Sequence, residues 1–153
     1  MEPPVKQRKE PWYYNTINRL SDYKRNFDRV NSLTKELSML GSKTTVTYSD
    51  MPHGSGVSDS CGDLATKVGD KNTELIEKQN EVMLIEYVVS ILSEQKQLII
   101  RTRFMTEGGQ DKGAFITLGN HARRYKWRAK NYRTYEKLRE EAIEEIAGML
   151  GEK

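Results

Sequence analysis

The feature that most constrains this chain is a dense basic segment near its C-terminal end, between Asn120 and Arg139. The segment contains eight cations and one acid, Glu136, for a net charge of +7, whereas the whole chain carries +3. The remaining residues therefore sum to −4, and the positive charge is local. Most charge runs are solvated helix faces, but a local basic segment with interleaved aromatic residues favours contact with nucleic acid phosphates.

Spacing within residues 117–138 predicts a helix-turn-helix. Ala122 takes the position of the small residue in the first helix, where the second helix packs closely. Apolar residues follow at suitable offsets: Leu118 before Ala122, and Tyr125, Trp127, Tyr132 and Tyr135 after it. The same spacing puts the start of the second helix near Arg128 and Ala129, neither of which is a good capping residue.

The second helix of this unit is expected to present side chains suited to base edges and phosphates. The base-reading candidates are Lys130, Asn131, Arg133, Thr134 and Lys137. The candidates for neutralising flanking phosphates are Arg123, Arg124, Lys126 and Arg128. The helix is expected to run on to Gly151 with an inner face of Tyr132, Tyr135, Leu138, Ala142, Ile143, Ile146, Ala147 and Leu150.

The rest of the chain predicts an all-α fold. It divides into a flexible lead (1–11), a long amphipathic helix (12–40), a flexible linker rich in Gly and Ser (41–70) and a helical domain (71–153) that contains the helix-turn-helix. Two interpretations of the long N-terminal helix remain open. It packs against the C-terminal domain, or it forms a coiled coil with a second copy or another protein. A homodimer through this helix would present two recognition helices together.

Two helices are predicted ahead of the basic segment. The first spans about residues 70–92, and Leu64, Ala65 and Val68 extend it backwards. Its second half is apolar nearly all round, so it is expected to be buried. Ser93 is expected to cap the next helix, in which Leu98, Ile99, Arg101 and Phe104 close the core; residues 106–113 form a turn.

Several functional classes find no support in the sequence. The single cysteine, Cys61, excludes an internal disulfide and favours a reducing cytoplasm. No apolar run approaches the roughly 20 residues of a membrane span, and no signal peptide is evident, so we expect a soluble cytoplasmic protein. His53 and Cys61 lack a second ligand pair for a metal, and neither His53 nor His121 has catalytic partners, so no metal, cofactor or enzymatic activity is expected.

Three stretches resemble a known family: TTVTYSDMPHGSGVSD, VVSILSEQKQLIIRTRF and KLREEAIEEIAGMLG. They are similar to the small phage-encoded transcriptional regulators of the ArpU and RinA type, whose C-terminal half resembles region four of bacterial sigma factors. The resemblance covers most of the chain from about Trp12 onward. It implies regulation of phage or prophage genes, often late ones, in a bacterial host cell. The implied partners are double-stranded promoter DNA and, as a further contact, bacterial RNA polymerase.

Two other functions remain as alternatives. A small terminase subunit for DNA packaging also joins a helix-turn-helix to an oligomerising helical segment, and it would form a closed ring. A protein-interaction module would act on RNA polymerase through the N-terminal helix without reading DNA. Salt-sensitive retention of DNA separates both DNA-binding functions from the interaction module.

Overall fold

The computed structural model describes residues 9–43, 60–125 and 131–153, with the backbone alone for 42–43, 60–61 and 122–125. These residues form five α-helices and no strand, which confirms the all-α prediction: α1 (Pro11–Lys43), α2 (Ser60–Ile91), α3 (Glu94–Phe104), α4 (Asp111–Tyr125) and α5 (Tyr132–Leu150). None of these helices combines the length and the hydropathy that crossing a bilayer requires.

The described residues divide into two units. The larger unit comprises the described parts of Met1–Lys24 and Met83–Lys153, and the smaller unit comprises those of Arg25–Val82. The expected linker is wrong over residues 60–70, which are helical because α2 begins at Ser60. Leu64, Ala65 and Val68 keep a helical step there, as the sequence suggested. Residues 44–59 of the expected linker, including His53, and the first eight residues of the expected lead lie outside the described residues.

In the larger unit, α3, α4 and α5 share a core. Ile99 of α3, Ala114 and Leu118 of α4 and Tyr135 of α5 are fully buried together. Leu98, Phe115 and Leu138 pack around them. The expected inner face of α5 is confirmed at its buried positions, Tyr135, Ala142, Ile143, Ile146 and Ala147.

The first half of α1 packs against α5 within the larger unit. The Tyr13 hydroxyl donates to Glu140 Oε1 at 2.9 Å, and Lys9 also donates to Glu140. Near the other end of α5, Arg19 Nη1 lies 3.2 Å from Glu152 Oε1. These contacts agree with the first interpretation of the N-terminal helix, in which it packs against the C-terminal domain of the same chain.

In the smaller unit, charged pairs join the second half of α1 to the first half of α2. Arg29 holds Glu74 with two hydrogen bonds, Nε to Oε1 at 2.6 Å and Nη2 to Oε2 at 2.9 Å. Lys71 donates to Glu36, and Leu33 is fully buried between the charged residues along α1. This unit therefore combines a narrow apolar stripe with exposed ion pairs.

The helix ends can be compared with the capping and terminating residues expected from the sequence. Ser93 is the N-cap of α3 as expected, but its hydroxyl makes no capping hydrogen bond. The turn before α4 is shorter than expected, since α4 begins at Asp111. A Cβ on Gly109 would lie 2.4 Å from the Arg103 carbonyl oxygen, so only glycine fits. Gly151 ends α5 in the left-handed conformation at φ 71°, which confirms the expected terminator.

The expectation that the apolar second half of α2 is buried all round is wrong. Ile85, Val88 and Val89 are buried, and so is Leu92 directly after the helix. The opposite face is exposed at Met83, Leu84, Tyr87 and Ile91. The spacing of apolar residues shows which faces of a helix could be buried. Whether both faces are buried depends on how many other elements pack against that helix.

Candidate nucleic-acid interface

The candidate interface is the start of α5 together with the end of α4. Both helices expected for a helix-turn-helix are present, although α5 begins at Tyr132 rather than near Arg128. The small buried residue of α4 that packs in the core with Tyr135 is Ala114. The side chain of Ala122, the expected small residue, lies outside the described residues. Leu118 and Tyr135 take the core positions that the sequence predicted for them.

Three aromatic rings position the first turn of α5. Phe115 of α4 meets Tyr132 edge to face with ring centroids 5.3 Å apart, and it meets Tyr135 at 5.9 Å. Edge-to-face pairs at such distances are favourable because the ring edge is positive and the face negative. Tyr132, expected on the inner face, is 42% exposed, so it borders the core rather than lying in it.

A cluster around Asp111 joins α3, α4 and α5 below this turn. The Tyr135 hydroxyl donates to Asp111 Oδ1 at 2.7 Å, and Arg139 Nη1 lies 2.9 Å from the same oxygen. Arg103 Nε of α3 lies 3.2 Å from it. Burial alone would raise the pKa of the Asp111 carboxyl, but the hydrogen bonds from Tyr135 and Arg139 and the two guanidinium charges hold that pKa below its ordinary value.

The same cluster leaves the basic segment with one exposed cation fewer. Arg139 turns inward, and its side chain is only 17% exposed. Burial would lower the pKa of its guanidinium, but the hydrogen bonds to Asp111 and Glu140 raise it, so Arg139 stays charged. The Nε atoms of Arg103 and Arg139 are buried without a hydrogen-bond partner. A cavity of about 250 Å³ adjoins them, large enough to admit water.

Asn131 is the N-cap of α5. Its Oδ1 accepts from the Thr134 backbone N–H at 2.9 Å and from the Thr134 hydroxyl at 3.0 Å. Asn131 therefore does not lie on the outer face of a helix that begins earlier, as its sequence position had suggested. A capping side chain accepts a hydrogen bond from one of the free N–H groups of the first turn and thereby defines where the helix begins. Sequence reasoning missed this role, although Asn is among the residues preferred at a helix N-cap.

Arg133 and Lys137 are the base-reading candidates that the structure leaves exposed. Arg133 has no acidic partner among the described residues. The Lys137 side chain is 78% exposed, and its Nζ lies 4.0 Å from Glu141 Oε1, at the limit of an ion pair. No acidic residue occupies the first turn of α5, where the free N–H groups give a partial positive charge. This end of α5 is electropositive.

Beyond Lys137 the outer face of α5 changes sign. Four glutamates follow, each paired with at least one cation: Glu140 with Lys9 and Arg139, Glu141 with Lys96, Glu144 with Lys153, and Glu145 with Lys96. Arg133, Lys137 and Glu141 lie at steps of four residues and share one face. The surface open to an anionic partner on α5 is therefore confined to its first two turns.

For several candidate residues the structure describes only the backbone, and others lie outside the described residues. Arg123 and Arg124 belong to the last turn of α4, which ends at Tyr125, and only their backbone is described. Lys126, Arg128 and Lys130 lie outside the described residues. Their expected contacts with phosphates and bases stay predictions.

Of the two histidines weighed in the sequence, His121 lies in α4. His121 Nδ1 lies 3.0 Å from the Thr117 carbonyl oxygen of its own helix. Among the described residues, no three His, Cys, Asp or Glu side chains are grouped as metal ligands.

Comparison with known proteins gives no assignment: no protein-family model matches this chain, and neither a curated protein nor a solved structure matches it.

Proposed function

We propose that this protein is a DNA-binding transcriptional regulator that inserts the start of α5 into the major groove. The observation that carries the proposal is the combination of exposed Arg133 and Lys137 with a capped first turn free of acids. An α-helix fits the major groove of B-DNA, and the N-terminal residues of a recognition helix are those that reach base edges.

The capping geometry sharpens which side chains would read bases. A bidentate contact from Asn to adenine needs both the amide oxygen and the amide nitrogen. The oxygen of Asn131 already accepts two hydrogen bonds from Thr134, so these two residues position α5. Base reading then rests on Arg133, whose fork of donors matches the O6 and N7 atoms of guanine, and on Lys137.

The sign change along α5 sets how far the DNA would extend over the helix. Glu140 and the glutamates after it would repel phosphates, so the contact ends before them. The DNA backbone would instead follow the end of α4 and the residues after it. Arg123, Arg124, Lys126 and Arg128 are proposed there as phosphate contacts, since their charge suits that role, and Lys130 stays a base-reading candidate.

The resemblance noted in the sequence supplies the biological context of the proposal. We infer that the DNA is promoter DNA of phage or prophage genes in a bacterial host, and late genes above all. Bacterial RNA polymerase is the proposed second partner. The inward packing of Lys9, Tyr13 and Arg19 leaves the first half of α1 engaged with α5, so a polymerase contact would use another surface.

The test is selection of duplexes from a random-sequence pool by the full-length protein, followed by a salt titration of the selected duplex. We expect an enriched motif and a steep fall of affinity with salt. Arg133→Ala should lower affinity by about tenfold or more and relax the preference at one base pair. Lys35→Ala removes the same charge from an exposed position on α1 and is expected to change affinity little.

Two results would contradict the proposal in different ways. Equal loss of affinity on all sequences in Arg133→Ala would assign Arg133 to phosphate contact alone. Absence of retention even at low salt would exclude DNA binding by α5 and favour the protein-interaction module.

A further inference from the structure

The cavity of about 250 Å³ beside the Asp111 cluster lies within the larger unit. The charged part of its lining is formed by Arg103, Asp111 and Arg139. The rest of its lining comes from α1, α3 and α5 and is apolar or aromatic: Tyr13, Ile17, Phe104 and Ile143. A cavity of about 150 Å³ is enough for benzene, so this one can hold a small organic molecule.

The two arginines beside this cavity carry hydrogen-bond donors that the protein does not use. The Nε atoms of Arg103 and Arg139 are buried and have no hydrogen-bond partner among the described residues. Arg103 Nε lies 3.2 Å from Asp111 Oδ1, which is an ion-pair distance, but its N–H makes no hydrogen bond there. A buried donor without an acceptor is costly, so both groups favour a ligand that brings acceptor atoms.

The charge balance beside the cavity indicates the charge of such a ligand. The ion-paired groups there are three cations and two acids: Lys9, Arg103, Arg139, Asp111 and Glu140. Asp111 lies close to both guanidinium groups, so its single negative charge is shared between two arginines. The network therefore carries a net charge of +1. One monovalent anion would balance it, whereas a divalent anion would overcompensate it and lose more hydration against the apolar lining.

We propose that this cavity binds a small monocarboxylic acid in its anionic form. Its carboxylate would accept hydrogen bonds from Arg103 and Arg139, because a planar guanidinium matches a carboxylate in geometry and charge. Its hydrocarbon part would pack against Ile17, Phe104 and Ile143, where the burial of apolar surface adds to the affinity. An inorganic anion would use only the charged part of this lining, and a neutral aromatic molecule only the apolar part.

The position of the cavity links it to the candidate DNA-binding helix. Arg139 binds the carboxylate of Asp111, which also accepts the hydroxyl of Tyr135 near the start of α5. A ligand on Arg139 would restrict the side chain that ties α5 to α4, so we expect it to raise the affinity for DNA. By linkage, DNA would raise the affinity for the ligand by the same factor. This regulatory consequence rests on the proposed function, whereas the ligand site itself does not.

The first experiment is thermal unfolding of the full-length protein without DNA, in a titration with sodium benzoate. Benzoate should raise the thermal midpoint and reach the dependence on concentration expected for one site. Benzyl alcohol has the same ring without the charge, and sodium chloride at equal ionic strength supplies an anion without the ring. Both are expected to raise the midpoint much less than benzoate does.

Nuclear magnetic resonance of the side-chain N–H groups tests where benzoate binds. The Nε–H signals of Arg103 and Arg139 should shift as benzoate is added, because both donors would gain an acceptor. Replacement of each arginine by lysine removes its signal and thereby assigns it. The Nε–H signal of Arg101, which pairs with Glu86 outside the lining of the cavity, should not move.

Two variants separate the charged and the apolar parts of the site. Arg103→Lys keeps the charge but loses the guanidinium fork, and it should weaken benzoate binding by about tenfold. Arg101→Lys makes the same change on the same helix and should leave the binding unchanged. Ile17→Phe changes no charge but fills part of the cavity, so it should also weaken the binding by about tenfold. Circular dichroism without benzoate shows whether each variant is folded, and Ile17→Phe keeps the test decisive if Arg103→Lys is not.

Four results would overturn the proposal. No saturable effect of benzoate would mean that the cavity holds only water, and an equal effect of chloride would mean that it holds only an ion. An equal effect of benzyl alcohol, or equal binding of benzoate by folded Arg103→Lys or Ile17→Phe, would mean that the assigned groups do not form the site.

The failure of this proposal is separable from that of the proposed function. A protein that binds benzoate but retains no DNA would leave the ligand site standing and refute the regulator. A protein that selects a DNA motif but does not bind benzoate would refute the ligand site and leave the regulator standing. Benzoate binding without a change in DNA affinity would refute only the regulatory consequence.

Discussion

The two units of this protein hold their helices with similar ionic chemistry in different surroundings. In the larger unit, Asp111 binds Arg139 and the fully buried Tyr135, so the charges are tied to the core. In the smaller unit, Arg29 binds Glu74 with equally good geometry, but both side chains are more than a third exposed. Solvent screens the attraction between Arg29 and Glu74, whereas Asp111 and Arg139 lose part of their hydration when they are buried. The energetic weight of an ion pair is thus set by its burial and by its other partners more than by its distances.

The largest effect is expected from Asp111→Ala. The substitution leaves the partly buried guanidinium of Arg103 without an acid and that of Arg139 with Glu140 alone, and it removes the acceptor of the Tyr135 hydroxyl. We expect the free energy of unfolding to fall by about 2 to 3 kcal/mol. Chemical denaturation followed by circular dichroism measures it. Asp111→Asn keeps an acceptor oxygen and should lose less; an equal loss would mean that the negative charge accounts for the whole effect and a neutral acceptor contributes nothing.

Acid should weaken the larger unit through the same carboxylate. The pKa of Asp111 lies below its ordinary value, so its ionised form stabilises the folded state. This stabilisation is complete above the unfolded pKa of about 4 and is lost as the pH falls through the lower folded value. The thermal midpoint of the wild type should therefore drop below about pH 4, and that of Asp111→Asn should drop less. Parallel curves for the two proteins would show that other carboxylates dominate.

At the start of α5, the Thr134 backbone N–H donates to the Asn131 side chain, and neither group is charged. This hydrogen bond therefore tests the contribution of helix capping apart from that of ion pairs. Asn131→Ala removes the acceptor for the Thr134 backbone N–H and is expected to cost about 1 kcal/mol of unfolding free energy. Asn131→Ser retains an oxygen that can cap and should restore most of the loss. DNA retention by the serine variant would also show whether Asn131 acts on DNA only by positioning α5. Wild-type stability in Asn131→Ala would mean that the cap contributes nothing.

The smallest effect is expected from the exposed network of the smaller unit. The hydrogen bond from Arg29 is the main cause that lowers the pKa of Glu74, yet both side chains remain more than a third exposed to solvent. Arg29→Gln should lower the thermal midpoint only slightly at low salt. At about 1 M salt, where screening acts over about 3 Å, the difference from wild type should disappear. A large difference that persists in salt would contradict the contrast between the units.

Sequence reasoning located most helices and the faces that repeat regularly along them. The inner face of α5 was predictable because Tyr135, Ala142 and Ile146 repeat at helical steps, and Gly151 marked its end. The start of α5 was placed too early because the basic segment continues across residues 126–131 without a break in composition. The structure instead begins the helix where Asn131 caps it.

The roles of Arg139 and Tyr87 show the other limit. Arg139 counted as one cation among eight in the sequence, but packing against Asp111 and Tyr135 makes it a structural residue. Tyr87 counted as core because its neighbours are apolar, yet it lies on the exposed side of α2. Local spacing does not decide either role. The acid that holds Arg139 is Asp111, on a different helix, and the exposure of Tyr87 depends on which elements pack against α2.

By itself the sequence determined the helical class, the amphipathic faces of α1 and α5 and the concentration of positive charge near α5, since these depend on periodicity and composition along the chain. Only the tertiary structure decided which cations remain exposed, that Asp111 joins three helices, and that one face of α2 is left uncovered. Those outcomes depend on which surfaces meet, because burial and charge neutralisation are properties of pairs of elements brought together in space.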